Sequence, residues 1–467
     1  MKLLQPMVVF RYIIFLGIVI AAKDTTAQNQ SYLPLGKAVN LAIAHYPSIQ
    51  SKQAIVDASK ASLKETENAW LPNLKLSDQF DAGTNNSLNG SYFPMGIVPS
   101  SSGGRRLENN ASMASGNVAT IYGDWEIYNF GGYRARNEEA RAALKVSENG
   151  LGTEQYFVQS AVISNYLELI KYESLVRIQL NNIERTQTIL DAISAFVNSG
   201  LRSGVDSSVA AAELSKARLT YIDLVNNVNL LKIQLATFTG LDSSAIKADT
   251  NIISNVFSVL ATYSFADSSY NQHPLLQFYH SIYEDNMAQE TVIRKSYLPK
   301  VSLMASSWIR SSSISPADEY KETFSTFGYT RYNYLAGLAI TYNLFDIKRT
   351  QLKLNIQRSR SQAARQNFEE QKLQLSNSLA QANTNLRATL KKLSEIPVQK
   401  KAASDAYLQK KALYNAGLAN IVDVTNALYL LNRAETDEVL VRNEAWKAIF
   451  QQANAGNQVN QLLTIFK

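Results

Sequence analysis

The feature that most limits what this chain can fold into is an internal duplication. Residues 198–218 read NSGLRSGVDSSVAAAELSKAR, and residues 415–435 read NAGLANIVDVTNALYLLNRAE; both begin with an Asn-small-Gly-Leu turn and both place Val-Asp a few residues later. Pro47 and Pro274 recur at an offset of 227 residues, as do the sequences WLPNL and YLPKV. Because the landmarks keep their order, the sequence predicts one module written twice. We expect a first repeat over residues 28–250 and a second over 251–467.

Each module is predicted to contain a helix, a pair of strands around a polar loop, and a long helical hairpin. In the first repeat the helix covers residues 35–70 and is interrupted before Pro47; strands 73–82 and 117–130, helix 135–197, a turn at 199–204 and a helix to 238 follow. In the second repeat we expect helices 274–297, 347–415 and 421–463 and strands 301–311 and 333–344. Pro397 falls inside a predicted helix, so a bend or break is expected near Ile396.

The long helices carry a sustained 3-4 spacing of apolar residues. In the first of them the spacing runs through Val162, Tyr166, Leu169, Val176, Leu180, Ile183, Leu190 and Val197. A period held beyond about 25 residues is typical of a coiled coil. A helix of about 60 residues would extend about 90 Å, which is too long for one globular core.

The predicted strands alternate between apolar and polar side chains. In the second strand Ala119, Ile121, Gly123, Trp125 and Ile127 share one face, and polar residues share the other. This pattern is typical of a barrel wall between lipid and water, although a half-buried soluble sheet gives it too. Four strands cannot close a barrel, and an open edge cannot face lipid. If the chain spans a membrane it must oligomerise, and three copies would supply twelve strands.

The repeated turn is predicted to be the tip of each helical hairpin. Gly200 and Gly417 stand where a long helix must stop and reverse, and glycine readily adopts the positive φ that such a stop requires. Asp206 and Asp423 follow, where a carboxylate favours a helix N-terminus.

The N-terminus and the composition bear on where the chain works. Residues 1–27 combine Lys2 and Arg11 with an apolar run and end in Thr-Thr-Ala, which predicts a cleaved signal peptide; an uncleaved membrane anchor is the alternative. The formal charge is only +7, and no dense basic block occurs, so nucleic-acid binding is not expected.

The sequence contains no constellation that predicts catalysis or a cofactor. Cysteine is absent, and the chain has three histidines, His45, His273 and His280. His273, His280 and Glu284 could share a helical face as a loose metal constellation, but no known ligand spacing is present, and structural roles are favoured. We therefore expect no enzyme, no metal and no cofactor.

Taken together, these motifs resemble the TolC-type outer membrane efflux family. The resemblance rests on the paired prolines, WLPNL and YLPKV, WEIYNFGG at 125–132, LATFTGL at 235–241 and the two Gly-Leu tips, and it covers residues 34–465. It implies a mixed α and β membrane protein whose long coiled-coil hairpins and four strands per chain form a homotrimer. A twelve-stranded β-barrel would cross the outer membrane lipid, and a helical tunnel would extend into the periplasm.

The resemblance also implies partners and site residues. A periplasmic adaptor would contact the tips, Gly200-Leu201 and Gly417-Leu418, and would link the duct to an inner-membrane pump of the RND or ABC type. Tyr414 matches the family's latch tyrosine, Asp423 matches one constriction aspartate, and Asn426 stands where some members have a second aspartate. Ala419 stands where some members have a latch arginine.

Three functions are consistent with this sequence. The first is a passive exit duct for small toxic molecules in a tripartite efflux system. The second is the exit duct of a type I protein secretion system, which the same fold can serve. The third is a periplasmic coiled-coil scaffold without a channel, which would explain the helices but not the alternating strands. If Asp423 lines a constriction, Asp423→Ser should reduce selectivity for cations.

Overall fold

The structure, a computed structural model, describes residues 32–86, 108–255, 272–317 and 319–465. The predicted signal peptide over residues 1–27 lies outside these ranges, and so does most of the polar loop predicted over 83–115.

Within the described ranges the chain forms eight α-helices and four β-strands. In the first half they are α1 (Leu35–His45), α2 (Pro47–Asn68), β1 (Asn73–Gly83), β2 (Ala114–Tyr128), α3 (Gly132–Asn198) and α4 (Gly204–Thr239). In the second half they are α5 (Pro274–Ser296), β3 (Lys300–Ser312), β4 (Arg331–Thr341), α6 (Asp346–Asn415), α7 (Ile421–Ala455) and α8 (Val459–Ile465). The predicted order of helix, strand pair and helical hairpin is therefore present in both halves.

The paired prolines begin equivalent helices. Pro47 opens α2 and Pro274 opens α5, each at the first helical turn, where the missing N–H of proline has no helical partner to lose. The preceding residues, Tyr46 and His273, are extended, as the steric restriction before proline requires. This chemistry explains the predicted interruption before Pro47, which the structure confirms.

The Tyr-Asn motif turns the chain from strand to helix in both halves. The Asn129 side chain accepts a hydrogen bond from the Tyr133 N–H and donates one to Glu126. In the second half Asn343 donates to Asp346, the first residue of α6, at 2.7 Å. The asparagine therefore fixes the junction between the sheet and the long helix each time.

The four strands form one antiparallel sheet in the order β1-β2-β3-β4. The register aligns Leu76 of β1 with Ile121 of β2, Ile121 with Ser307 of β3, and Ser307 with Tyr334 of β4. Rows above and below carry further apolar residues on the same face: Leu74, Trp125, Val301, Leu303, Ile309, Tyr332, Leu338 and Ile340. The alternation predicted for single strands thus adds up to one continuous apolar face.

The sheet is open at both sides within the chain. β1 and β4 are its edge strands, and nearly all of their residues are exposed. Long apolar edge strands with unpaired N–H and C=O groups require pairing partners from another chain. The sheet is therefore built to be completed by neighbours rather than to stand alone.

Two helical hairpins extend from the sheet. α3 has 67 residues and α6 has 70, so each would be about 100 Å long at 1.5 Å per residue. The shorter helices α2 and α4 lie along α3, α7 lies along α6, and α5 contacts both α3 and α6. In the described part of the chain, no helix has both the length and the apolar character needed to cross a membrane.

The largest core lies partway along the hairpins, where the short segments wrap around them. Tyr166 of α3 is fully buried and donates its hydroxyl to the Leu33 carbonyl at 2.6 Å. Trp446 of α7 is also buried and donates its indole N–H to the Ile252 carbonyl at 3.2 Å. These bonds attach the connecting segments to the helix bundle.

The apolar stripe predicted along α3 is borne out along most of its length. Val162, Tyr166 and Leu169 are fully buried, and Val176, Leu190 and Val197 are partly buried against the cores. Leu180 is about half exposed, so its predicted inward position is wrong. The α-helix drifts relative to a strict seven-residue repeat, and polar residues enter the contact instead. Gln179, for example, is buried and donates to the Ala217 carbonyl of α4 at 2.8 Å.

The last predicted helix is interrupted. We expected one helix over residues 421–463, but α7 ends at Ala455, and Asn457 takes a left-handed conformation with φ of 58°. The Asn457 amide donates to the Gln272 carbonyl at 3.1 Å. The break lets α8 turn back so that Leu462 is buried in the main core.

The sequence predicted a bend or a break near Ile396, and no break occurs there. α6 continues through Pro397 from Asp346 to Asn415. The Pro397 ring lies on the exposed side of the helix, and the Leu393 carbonyl one turn before it has no helical N–H partner. Leu393 and Ile396 are buried in the main core, and this packing keeps the helix continuous.

We expect Pro397→Ala to stabilise the protein. Alanine restores the missing backbone hydrogen bond at an exposed helical position, which is worth up to about 3 kcal/mol. Thermal unfolding of the purified protein, followed by circular dichroism, measures the gain. The matched control is Pro274→Ala, which should give little gain because proline is well tolerated at the first turn. Equal midpoints for Pro397→Ala and the wild type would contradict the expectation.

Candidate functional site: the hairpin tips

The two hairpins end in turns with the same geometry. Gly200 has φ of 76° and Gly417 has φ of 78°. The Leu201 N–H donates to the Phe196 carbonyl at 2.9 Å, and the Leu418 N–H donates to the Leu413 carbonyl at 2.9 Å. These bonds reach five residues back and define a Schellman stop with glycine at the left-handed position. The predicted helix reversal at both glycines is confirmed.

The returning helices are capped by neutral side chains. Ser203 accepts from the Val205 N–H at the start of α4, and Asn420 accepts from the Asp423 N–H at the start of α7. Asp206 and Asp423 lie in the first turns of these helices. Their carboxylates therefore face the positive ends of the helix dipoles, as the sequence predicted.

Each tip presents apolar side chains to solvent. Leu201 is 71% exposed and Leu418 is 77% exposed. Val205 and Val422, each four residues further along, are also exposed. Exposed aliphatic residues at the end of a long rigid hairpin form a small hydrophobic surface at each tip, the kind of surface that a partner protein binds.

A small apolar cluster, the tip core, holds the two tips together. Tyr407 and Tyr414 of α6 pack with Val424 and Leu428 of α7 and with Ile193 of α3. Ala419 lies at the edge of this cluster. The end of the first hairpin therefore packs directly against the second.

Tyr414 is at the centre of the contact between the tips. Its ring is 5% exposed, and the Arg202 guanidinium carbon of the first tip lies 5.0 Å from the ring centroid. Among the described residues its hydroxyl has no hydrogen-bond partner. Burial raises the pKa of Tyr414, and Arg202 partly opposes this effect. The sequence did not predict the cation–π contact, because nothing in a turn motif identifies its partner.

Asp423 and Asn426 lie on the side of α7 that is turned away from the apolar cluster containing Tyr414. Asn426 is exposed, and Asp423 is partly exposed. The Asp423 carboxylate faces the Lys410 ammonium across the hairpin, at 3.6 Å. The sequence analysis missed this pair, although the two residues lie seven positions before and six positions after Gly417, which a hairpin brings opposite each other.

Further from the tips, an ion pair joins the two hairpins. Arg185 of α3 forms two hydrogen bonds of 2.9 Å with the Glu435 carboxylate of α7. Both side chains are largely buried, so this bidentate geometry orients the helices. Hydrogen bonding to Glu435 raises the pKa of Arg185, which keeps it charged.

The loose metal constellation considered from the sequence does not assemble. His273 is fully buried, its Nδ1 accepts from the Leu275 N–H, and its Nε2 lies 3.2 Å from the Asn454 carbonyl. His280 is exposed beside Glu284. Over the described ranges there is no group of three metal-ligating side chains. His273 instead caps α5 and binds α7.

Comparison with known proteins identifies the class of this architecture. The sequence profile of the family described as outer membrane efflux protein matches residues 38–241 and 251–452. The chain belongs to this family. It is therefore an outer membrane channel rather than an enzyme, and it serves as an exit duct of tripartite efflux systems, with its helical tunnel in the periplasm. Channels of the family function as trimers with adaptor and inner-membrane pump partners.

Solved structures share the fold at low sequence identity. The outer membrane protein VceC from Vibrio cholerae is 15% identical, with a TM-score of 0.73 over 90% of this chain and 95% of that chain. The CmeC channel of Campylobacter jejuni is 14% identical, with a TM-score of 0.73 over 93% and 89%. The open-state MtrE channel of Neisseria gonorrhoeae is 15% identical, with a TM-score of 0.68 over 91% and 89%. No curated protein sequence matches significantly.

We expect Gly200→Ala to weaken the first tip. An added Cβ meets no atom within 4 Å, but the positive φ is unfavourable for alanine, at a cost of about 1 kcal/mol. Hydrogen exchange at the end of α3 should become faster. Gly204→Ala is the matched control, since it lies in the same turn, also has free space around its Cβ, and has no positive φ. Equal protection in both variants would contradict this account.

We expect part of the protein's stability to depend on a neutral His273. Burial lowers the pKa of His273 below 6.5, so the folded state binds its proton less readily than the unfolded state. This stability is complete above about pH 6.5 and is lost as the pH falls, by at most about 1.4 kcal/mol per pH unit. Unfolding midpoints at pH 7.5 and 5.5 measure the loss.

The variant His273→Asn replaces the capping Nδ1 with an amide oxygen that can also accept from the Leu275 N–H. It does not titrate, so its midpoint should depend less on pH. His280→Asn provides the control, because it removes an exposed histidine from a neighbouring turn. If both variants keep the full pH dependence of the wild type, His273 is not the group responsible.

Proposed function

We propose that this channel is a passive exit duct for small toxic molecules. The observation that supports the duct is the pair of hairpin tips with the same turn geometry, each with an exposed leucine, at the far end of helices about 100 Å long. The sheet's apolar face marks the membrane end of the molecule. The tips are therefore the part available to a periplasmic partner.

On this proposal a periplasmic adaptor docks at Gly200-Leu201 and Gly417-Leu418 and connects the duct to an inner-membrane pump. Support comes from the Schellman stops, which fix the two leucines in the same pose, and from the exposed valines beside them. The two tips come from corresponding parts of the first repeat, 28–250, and the second repeat, 251–467. Each protomer would then offer two similar contacts.

The constriction of the tunnel is proposed to lie at Tyr414, Asp423 and Asn426. Tyr414 acts through the tip core rather than from the lumen surface, because its ring is buried against Arg202. Asp423 and Asn426 are proposed to face the lumen, since they lie on the side of α7 turned away from the tip core. In this arrangement the tyrosine holds the helix ends inward, and the two polar residues meet the cargo.

Deleting the gene in its source bacterium tests which class of cargo the duct carries. We expect greater susceptibility to dyes, detergents and antibiotics, and restoration by the intact gene. Selective loss of tolerance to metal salts would replace small organic molecules with metal ions as cargo. Loss of a secreted protein without any change in susceptibility would favour the secretion duct. If the purified protein neither forms trimers in mild detergent nor conducts ions in bilayers, the channel itself is excluded.

Adaptor docking is tested with the leucines at the tips. The double variant Leu201→Glu/Leu418→Glu places a charge on each apolar tip and should lose the restoration of tolerance while remaining trimeric. The control Leu201→Met/Leu418→Met keeps the apolar character and should restore tolerance. If the glutamate variant also restores tolerance, docking does not depend on these tips.

A further inference from the structure

The charge of Asp423 is opposed within its own hairpin. The Lys410 Nζ lies 3.6 Å from the Asp423 Oδ2, and both side chains are partly solvated, with 45% and 40% of their surface exposed. Lys410 belongs to the penultimate turn of α6, and Asp423 belongs to the first turn of α7. The hairpin itself therefore sets this proximity, independently of any other protomer.

The residues one turn before and after Asp423 add no further negative charge. Asn420 and Asn426, one turn before and after it, are both neutral. The Asn420 side-chain oxygen accepts a hydrogen bond from the Asp423 N–H as the helix cap. The positive end of the α7 dipole lies at the same place and offsets the carboxylate further.

The first tip is balanced in a similar way. Arg202 and Asp206 both lie close enough to the Tyr414 ring to affect its pKa in opposite directions. Each tip of the hairpin pair thus places a basic residue close to an acidic one.

We propose that Lys410 cancels the charge of Asp423 at the tunnel constriction, so that this channel does not select cations there. The proposal rests on the proposed function, which places Asp423 at the lumen. A carboxylate alone attracts cations, but a carboxylate with an ammonium at 3.6 Å acts as a small dipole. Its field fades well within the screening distance of about 8 to 10 Å at physiological salt. Cargo of either charge, or of none, can then pass.

The proposal makes Lys410 a residue that determines charge selectivity. Removing Lys410 leaves three uncompensated carboxylates around the axis, and removing the Asp423 charge leaves three uncompensated ammonium groups. Unit charges at about 10 Å in screened water change ion occupancy only modestly, so each ring should shift the ratio of cation to anion permeability about threefold.

The test is the reversal potential of single channels in asymmetric potassium chloride. Wild-type channels should show a permeability ratio near one. Lys410→Gln should raise the ratio about threefold in favour of potassium, and Asp423→Asn should lower it by about the same factor. The double variant Lys410→Gln/Asp423→Asn should return to the wild-type ratio. Asp423→Ser should behave as Asp423→Asn does.

Lys411→Gln is the matched control, because it removes the same charge from the next position of α6. It should change the ratio less than Lys410→Gln does. A strongly cation-selective wild type, an unchanged ratio in Lys410→Gln, or an equal effect of Lys411→Gln would each overturn the proposal and leave the duct intact. A trimer that conducts no ions would instead count against the duct.

Discussion

The whole architecture depends on the length of two helices. A continuous amphipathic helix of 67 or 70 residues cannot bury its apolar residues in a compact core, so it must find partners along its side. The returning helices α4 and α7 supply part of this contact, and α2 and α5 supply the rest near the sheet. The remaining exposed faces and both sheet edges require other protomers. Oligomerisation is thus a consequence of helix length and not an addition to a finished fold.

Features that depend on neighbouring residues in sequence were predictable. Proline at the first turn fixes where α2 and α5 begin, and glycine at positive φ fixes where α3 and α6 end. These effects are local, because they arise from the allowed backbone angles of one residue type. The duplication then made each local prediction twice, and the second copy served as a check on the first.

Features that depend on contacts across the bundle were not predictable. The pair Arg185–Glu435 joins two hairpins whose relative register is not written in either segment alone. The Lys410–Asp423 pair lies within one hairpin, and its spacing about Gly417 did contain the signal. Packing also overrides local preference at Pro397, where a buried face keeps the helix continuous. At Asn457 the opposite occurs: a polar residue accepts a left-handed backbone and ends a helix whose apolar pattern would have continued.

The two tips are alike in their turns but differ beyond them. A binding partner that recognises only the Schellman stop and its leucine meets two equivalent sites in each protomer, and therefore six around a trimer. A partner that also recognises the residues beneath the turn meets only three, because Tyr414 and the neighbouring Lys410–Asp423 pair occur on one hairpin alone. The stoichiometry of the assembled pump therefore depends on how deeply its partner reaches past the glycine.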